Sequence, residues 1–238
     1  MKQLLVTGAN RGIGLEFTQQ YLANGWHVYA TYREQPGTAL ASLACDQLKI
    51  LPLDVAEDAS IWVLQEQLSG VNLDLIINNA GLFGPRDQSL GKVSRQQWLD
   101  VLNVNSVGPL MLAQALHNNL TTKQGTFAVI SSRMGSIDEN DGGSLYLYRS
   151  SKTAVNQVVK SLSIDMQAQG IKVIALHPGW VRTDMGGPNG SIDTQTSVSG
   201  IRQVLEHIRP ADSGRFINYN GAAIAWKLIF KAAFGQSD

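Results

Sequence analysis

TGANRGIG, Thr7–Gly14, follows directly on the apolar run QLLV, Gln3–Val6, and places three glycines, Gly8, Gly12 and Gly14, within eight residues. Glycine costs roughly 0.5–1 kcal/mol relative to alanine inside an element, so three in one turn point to a backbone that bends sharply or lets another group come close. Leu4-Leu5-Val6 has the apolar continuity of a buried strand, and Ile13, Leu15, Phe17 and Leu22 supply apolar positions for a helix behind the turn. Strand, glycine turn and helix open a βαβ unit whose helix N-terminus can face a pyrophosphate. The spacing departs from G-x-G-x-x-G, and glycine turns also join strands to helices in α/β proteins that bind nothing. The remainder of the chain decides between the two.

Further apolar runs with strand character stand at Trp26–Tyr32, Leu48–Leu53, Leu73–Asn79, Thr126–Ser131, Ile171–Leu176 and Gly214–Tyr219, separated by segments of helical length. This alternation predicts a Rossmann-type α/β fold, a doubly wound parallel sheet of about seven strands with helices on both faces. Val155, Val158, Val159, Leu162 and Met166 form the clearest helical stripe. No repeat, low-complexity tract or linker divides residues 1–238, so a single dinucleotide-binding domain is expected. MGGPNG, Met185–Gly190, reads as a mobile loop within it.

The 19 basic residues balance the 19 acidic ones, which gives no electrostatic case for nucleic acid or an acidic membrane surface. Cys45 is the sole cysteine and the four histidines are scattered, so no disulfide and no metal cluster is expected. The run after Lys2 is too short for a signal peptide, and no stretch approaches the roughly 20 apolar residues that span a bilayer. These features place the protein in the cytoplasm.

YRSSK, Tyr148–Lys152, sets a tyrosine and a lysine four residues apart at the head of the striped helix, on one face. A free tyrosine, with a pKa near ~10, serves poorly in proton transfer at neutral pH unless its phenolate is stabilised, and a neighbouring ammonium stabilises it. Tyr146 has Ser150 at the equivalent spacing and lacks that support. As a bare pattern, tyrosine and lysine at this spacing also describe a half-buried ring beside a solvated charge.

Taken with TGANRGIG, with LDV at Leu53–Val55, NNAG at Asn78–Gly81, NVNSVGP around Asn105, VISS ending at Ser132 and PGWVRTDM at Pro178–Met185, the chain resembles the short-chain dehydrogenase/reductase family from end to end. YRSSKTAVNQVVKSLSIDM and SGRFINYNG look like the branch of sniffer-like carbonyl reductases and C-factor signalling proteins.

The resemblance implies hydride transfer between NAD(P)(H) and a small carbonyl or alcohol substrate. Tyr148 would exchange the proton, Ser132 would orient the carbonyl oxygen, and Lys152 would bias Tyr148 toward phenolate and hold the nicotinamide ribose. Asn105 would hold a water that relays protons to Lys152; read on its own, a buried asparagine in a long helix is a satisfied core amide or a helix irregularity. Ser131 remains a second candidate, since adjacent strand residues face opposite ways.

For the cofactor, Gly8, Gly12, Ile13 and Gly14 would make room for the pyrophosphate, with Thr7 and Asn10 tying the turn by side-chain hydrogen bonds. Asp54 would meet the adenine, with the Val55 backbone beside it, or else cap a helix. Asn79, Ala80 and Gly81 would let backbone approach the adenine-side ribose. Pro178 and Gly179 lead to Val181 and Thr183, which would hold the carboxamide and a phosphate oxygen. Tyr32 stands where an NAD-reading acid would be, Arg33 follows, and Arg11 lies in the turn, which favours NADP(H) over NAD(H). The alternative is a pair of solvated arginines, one neutralised by Glu34.

Residues 133–147, read as a loop insertion, and the substrate loop 184–197 would wall the substrate. The tail 222–238, drawn as a helix, puts Trp226, Ile229, Phe230, Ala233 and Phe234 on one face, Lys227 and Lys231 on another, and Gly235 at its end. That face is expected at or near a subunit interface, since the resemblance implies a homodimer or homotetramer. Two rivals to catalysis are a C-factor-type signalling protein that binds a dinucleotide without needing turnover, and a structural partner in a complex. Neither requires Asn105, Ser132, Tyr148 and Lys152 together, and all four are present.

Overall fold

Along each central strand successive side chains enter opposite cores. Leu5, Ile76, Phe127 and Val173 fall in one cluster, whereas Leu4, Ile77, Ala128 and Ile174 fall in the other. Burial on both faces is why these strands read as continuous apolar runs rather than as alternating ones. In the computed structural model, which describes residues 1–120 and 125–226, seven strands form one parallel sheet: β1 (Gln3–Val6), β2 (His27–Tyr32), β3 (Leu48–Pro52), β4 (Leu75–Asn78), β5 (Thr126–Ile130), β6 (Lys172–His177) and β7 (Phe216–Asn218). Their order is β3-β2-β1-β4-β5-β6-β7. The chain reverses direction across the sheet between β1 and β4, the position where open α/β sheets leave a crevice at the carboxyl ends of their strands.

Helices α1 (Gly12–Ala23), α2 (Gly37–Ala41) and α7 (Thr194–His207) cover one face through Phe17, Leu40, Val198 and Ile201. Helices α3 (Asp58–Gln67), α5 (Gly108–Leu116) and α6 (Tyr146–Asp165) cover the other through Leu64, Leu112 and Val159. Helix α4 (Arg95–Leu102) is joined to α5 by a π-turn, Asn103–Val107. Of the stripe read on α6, Val155, Val159, Leu162 and Met166 are buried and Val158 is partly so. No helix among the described residues is long and apolar enough to cross a membrane.

Two expectations change. The tail does not enter a helix at Gly221: that residue turns the chain at φ +86°, and the following segment runs back along β7, with Ala223 bridged antiparallel to Ile217 and Ile224 N–H donating to the Phe216 carbonyl at 2.8 Å. An edge strand offers unpaired backbone groups, and this segment takes them up. Trp226 stacks on Phe216 at 5.4 Å, while Lys227 to Gly235, the rest of the expected helix, lie outside the described residues. Met185–Gly190, read as a mobile loop, is fastened instead. Trp180 Nε1 donates to the Gly186 carbonyl, Arg182 to that of Gly190, and Arg86 to those of Asp184 and Met185. The segment 184–197 also ends in the first turn of α7, capped by Asp193.

Candidate active site

The turns after β1 and β4 meet at the crevice and are fastened by one hydroxyl. Thr7 Oγ1 donates to Asn78 Oδ1 at 3.0 Å and accepts from the N–H groups of Asn79, at 3.0 Å, and Ala80, at 2.9 Å. Asn79 Nδ2 returns to the carbonyls of Thr7 and Gly8. Gly8 is held at φ +65°, a conformation strained for other residues, and an added Cβ would meet Ala80 Cα at 3.1 Å. At Gly14 the reason is space rather than φ, because a Cβ would collide with the Gly8 carbonyl. Asn10 departs from expectation: among the described residues its side chain makes no hydrogen bond, and Thr7 and Asn79 tie the turn instead. Helix α1 starts without a side-chain cap at Arg11, so its N-terminal donors at Gly12, Ile13 and Gly14 can be met by an anion. These features, a glycine turn under an uncapped helix N-terminus, fit a dinucleotide pyrophosphate.

Around this turn the other expected contacts fall into place unevenly. Thr183 lies beside Gly12, whose added Cβ would sit 3.4 Å from Thr183 Cγ2, and Ile13, Pro178, Gly179, Val181 and Thr183 line one cleft. Asp54 caps no helix. Its Oδ1 accepts from the Ala56 N–H two residues on, and Val55 is pressed against Gly108 of α5. Both arginines expected to read the ribose phosphate carry acidic partners, Arg33 with Glu34 at 2.6 Å and Arg11 with Asp184 at 2.9 Å. Such exposed pairs contribute little, so either guanidinium can exchange its carboxylate for a phosphate.

Ser131 and Ser132 part company at the end of β5. Ser131 Oγ is spent on Asn156 Oδ1 at 2.6 Å, a buried structural bond, whereas Ser132 Oγ accepts from Met134 N–H and faces the Tyr148 hydroxyl closely enough to favour its ionisation. Burial pushes the Tyr148 phenol up to about 12, opposed by the neighbouring Ser132 hydroxyl. Burial also draws the Lys152 ammonium down to about 8, and its Nζ donates to the Ile130 carbonyl at 2.9 Å, 5.6 Å from the Tyr148 ring centre. Tyr146, the rival tyrosine, is exposed, with its carbonyl accepting from Ser150.

Asn105 sits in the π-turn. Its amide exchanges two 2.7 Å hydrogen bonds with the Leu82 backbone and donates to Ser151 Oγ at 2.9 Å. It is both a satisfied core amide and a helix irregularity, and a Cβ at Gly81 would lie 3.4 Å from its Oδ1 and 3.7 Å from Lys152 Nζ.

Gln88 has no counterpart in the motif analysis. Helix α6 begins after Ser144 and Leu145, both at positive φ, and has no local side-chain cap. The buried Gln88 Oε1 accepts instead from the Tyr148 N–H at 3.0 Å, while its Nε2 donates to the carbonyls of Phe83 and Pro85. A glutamine in a polar loop gives no sign of a contact 60 residues away. Gln88→Leu orphans these buried groups and should lower stability by about 1–3 kcal/mol, read as a lower urea midpoint at unchanged slope.

Ser132, Tyr148, Ile13 and Val181 share a cleft of about 540 Å³, whose mouth is formed by the expected walls: Arg133, Met134, Glu139 and Leu145 from one, Met185 and Gly186 from the other. On its wall, burial and the Arg133 charge bring His177 down to about 4, which keeps the imidazole neutral, with Nδ1 accepting from the Arg133 N–H.

Residues 2–194 match the family described as short chain dehydrogenase. The C-signal of Myxococcus xanthus is 40% identical over 157 residues, covering 65% of this chain and 93% of that protein. The carbonyl reductase Sniffer of D. melanogaster superposes with a TM-score of 0.90 at 35% identity, over 95% of this chain and all of that one. The NADPH-bound carbonyl reductase from chicken fatty liver superposes at 0.87, also at 35% identity, over 95% and 99%. With the seven-stranded parallel sheet, the glycine turn at its switch point and the family match extending over most of its length, the chain belongs to the short-chain dehydrogenase/reductase family of oxidoreductases.

Proposed function

We propose that the protein is an NADPH-dependent carbonyl reductase in which Tyr148 is the proton donor. The observation that carries this is the meeting of Ser132 and Tyr148 at one cleft, with Lys152 Nζ 5.6 Å from the Tyr148 ring centre. When bound, a nicotinamide dinucleotide supplies the hydride. Ser132 and Tyr148 hold the carbonyl oxygen, and Tyr148 delivers its phenolic proton to that oxygen as negative charge develops there. Lys152, with its Nζ 5.6 Å from the Tyr148 ring centre, stabilises the phenolate left behind and offers N–H donors to ribose hydroxyls. Asn105 positions Ser151 and the Leu82 backbone beside Lys152 and is read as part of the path by which a proton returns. Thr7, Gly8, Asn10, Gly12, Ile13, Gly14, Asp54, Val55, Asn79, Ala80, Gly81, Pro178, Gly179, Val181 and Thr183 are read as the dinucleotide's contacts.

Incubating the purified protein with NADPH and a panel of aldehydes, ketones and quinones, while following nicotinamide absorbance, tests the activity. Turnover of at least one carbonyl is expected. NADPH binding without turnover of any would favour a C-signal-like role in which catalysis is secondary.

The preference for NADP(H) is carried by Arg33 and Arg11 and by the NADPH held in the chicken reductase. Arg33→Ala should weaken NADPH binding by about 1.5–3 kcal/mol and leave NADH binding nearly unchanged, because a charge-assisted contact is lost only with the phosphate. Equal weakening of both in a fluorescence titration would refute phosphate recognition.

A further inference from the structure

Three arginines, Arg86, Arg133 and Arg149, line the cleft beside Tyr148, against a single acid, Glu139. Their commitments differ. Arg133 pairs with Glu139 at 3.4 Å, and Arg86 is fixed by the carbonyls of Asp184 and Met185. Arg149 has no ion pair or side-chain hydrogen bond among the described residues, and its Nε is out of contact with solvent and without a partner. A guanidinium whose buried donor is left unmade costs free energy unless something else supplies an acceptor. Much of the remaining lining is apolar, through Phe83, Met134, Leu145, Trp180 and Met185.

Resting on the carbonyl-reductase function proposed above, we infer that the substrate is an apolar carbonyl compound bearing an oxyanion, a carboxylate or a phosphate, which Arg149 binds while the carbonyl meets Tyr148 and Ser132. The position fits this division of labour. Arg149 is the residue after Tyr148 on α6, and both line the same cleft, so the rigid helix that carries the proton donor also sets the distance to the anion. Arg133 adds positive potential from the neighbouring turn, and His177, kept neutral, adds none of its own. The cofactor-side lining, Ile13 and Pro178 to Thr183, comes from other segments, so this charge is not accounted for by the dinucleotide's phosphates. Planar guanidinium suits either oxyanion through paired N–H donors, and a neutral carbonyl compound would leave Arg149 unmatched.

The test compares para-carboxybenzaldehyde and para-formylphenyl phosphate with the neutral para-formylbenzamide, in the wild-type protein and in Arg149→Met and Arg149→Lys. One or both acids should be favoured in kcat/KM. In Arg149→Met the acid-to-amide ratio should fall roughly 10- to 100-fold, with part of it kept in Arg149→Lys. A calorimetric titration with para-methylbenzoate and para-methylbenzamide in the presence of NADP⁺ reads the same contact without turnover, and should show tighter binding of the acid, lost in Arg149→Met. Reduction of the amide with no preference for either acid, or a preference that survives Arg149→Met, would overturn the inference and leave the reductase function standing. Preferential binding of the acid through Arg149 with no aldehyde reduced would uphold the anion site and sink the reductase. Thermal melts check that each variant is folded, and Arg149→Lys carries the comparison if Arg149→Met is not.

Discussion

Tyr148→Phe is expected to lower the rate of carbonyl reduction by about 10²–10⁴-fold while leaving NADPH affinity within a few-fold of the wild type. The ring stays where Phe83 packs on it, with centroids 4.8 Å apart, and only the hydroxyl beside Ser132 is lost. The loss therefore falls on proton delivery and on the hold upon the carbonyl oxygen, both made at the transition state, so kcat should drop more than KM rises. With the phenol at about 12, Tyr148 is protonated throughout the neutral range and is ready to act as an acid. The reverse reaction, alcohol oxidation, needs the phenolate, so its rate should climb with pH where reduction does not. Steady-state kinetics in both directions check this. A Tyr148→Phe variant with wild-type turnover, alongside an inactive Tyr146→Phe, would place the proton donor elsewhere.

Lys152→Met is expected to give a protein that is more stable at pH 7 and about 10²–10⁴-fold less active. Burial lowers the ammonium from 10.5 to about 8, which corresponds to about 3 kcal/mol of destabilisation while the amine is charged. Methionine removes that penalty but strands the Ile130 carbonyl, so a net gain of about 1–2 kcal/mol is expected. The sign follows from proton counts. Between about pH 8 and 10.5 the unfolded chain binds more protons than the folded one, so wild-type stability rises with pH across that window. The advantage of Lys152→Met should therefore be full below pH 8 and vanish above 10.5. Urea unfolding of both proteins on either side of the window decides it, and a wild type more stable than the variant at pH 7 would contradict a charged, buried Lys152.

The parts of this molecule visible in its sequence are those where one short stretch carries its own constraint. Seven strands stand out because each carries an apolar run, continuous where both faces are buried as in β4 and β5, and their ends shift by only one or two residues, as at Trp26 and Ile171. Asn105 is visible as a polar misfit in an apolar helix. Contacts between distant stretches are not visible: Gln88 reaches the start of α6, and Arg11 finds Asp184 173 residues away. The five-residue α2 is too short to show a period. The tail reads as a helix because its apolar spacing allows one, yet hydrogen bonds offered by the edge of β7 capture Ala222 to Ile224 first.

The π-turn at Asn103–Val107 bears on which changes in chain length this fold can survive. It winds one residue more than an α-helical turn would between α4 and α5. Deleting any one of the five would let the two helices fuse into one regular α-helix of nearly the same phase, since the wider turn spends its extra residue on completing the same rotation. Leu112 and Leu116 would keep their places in the core, but the widened turn from which Asn105 grips Leu82 would be lost. Residues 136–145, which carry no regular element, have no such turn to keep. Natural drift in length is thus expected to accumulate at the mouth of the cleft and to spare the π-turn, so that the segment proposed to wall the substrate is also the part freest to be rewritten.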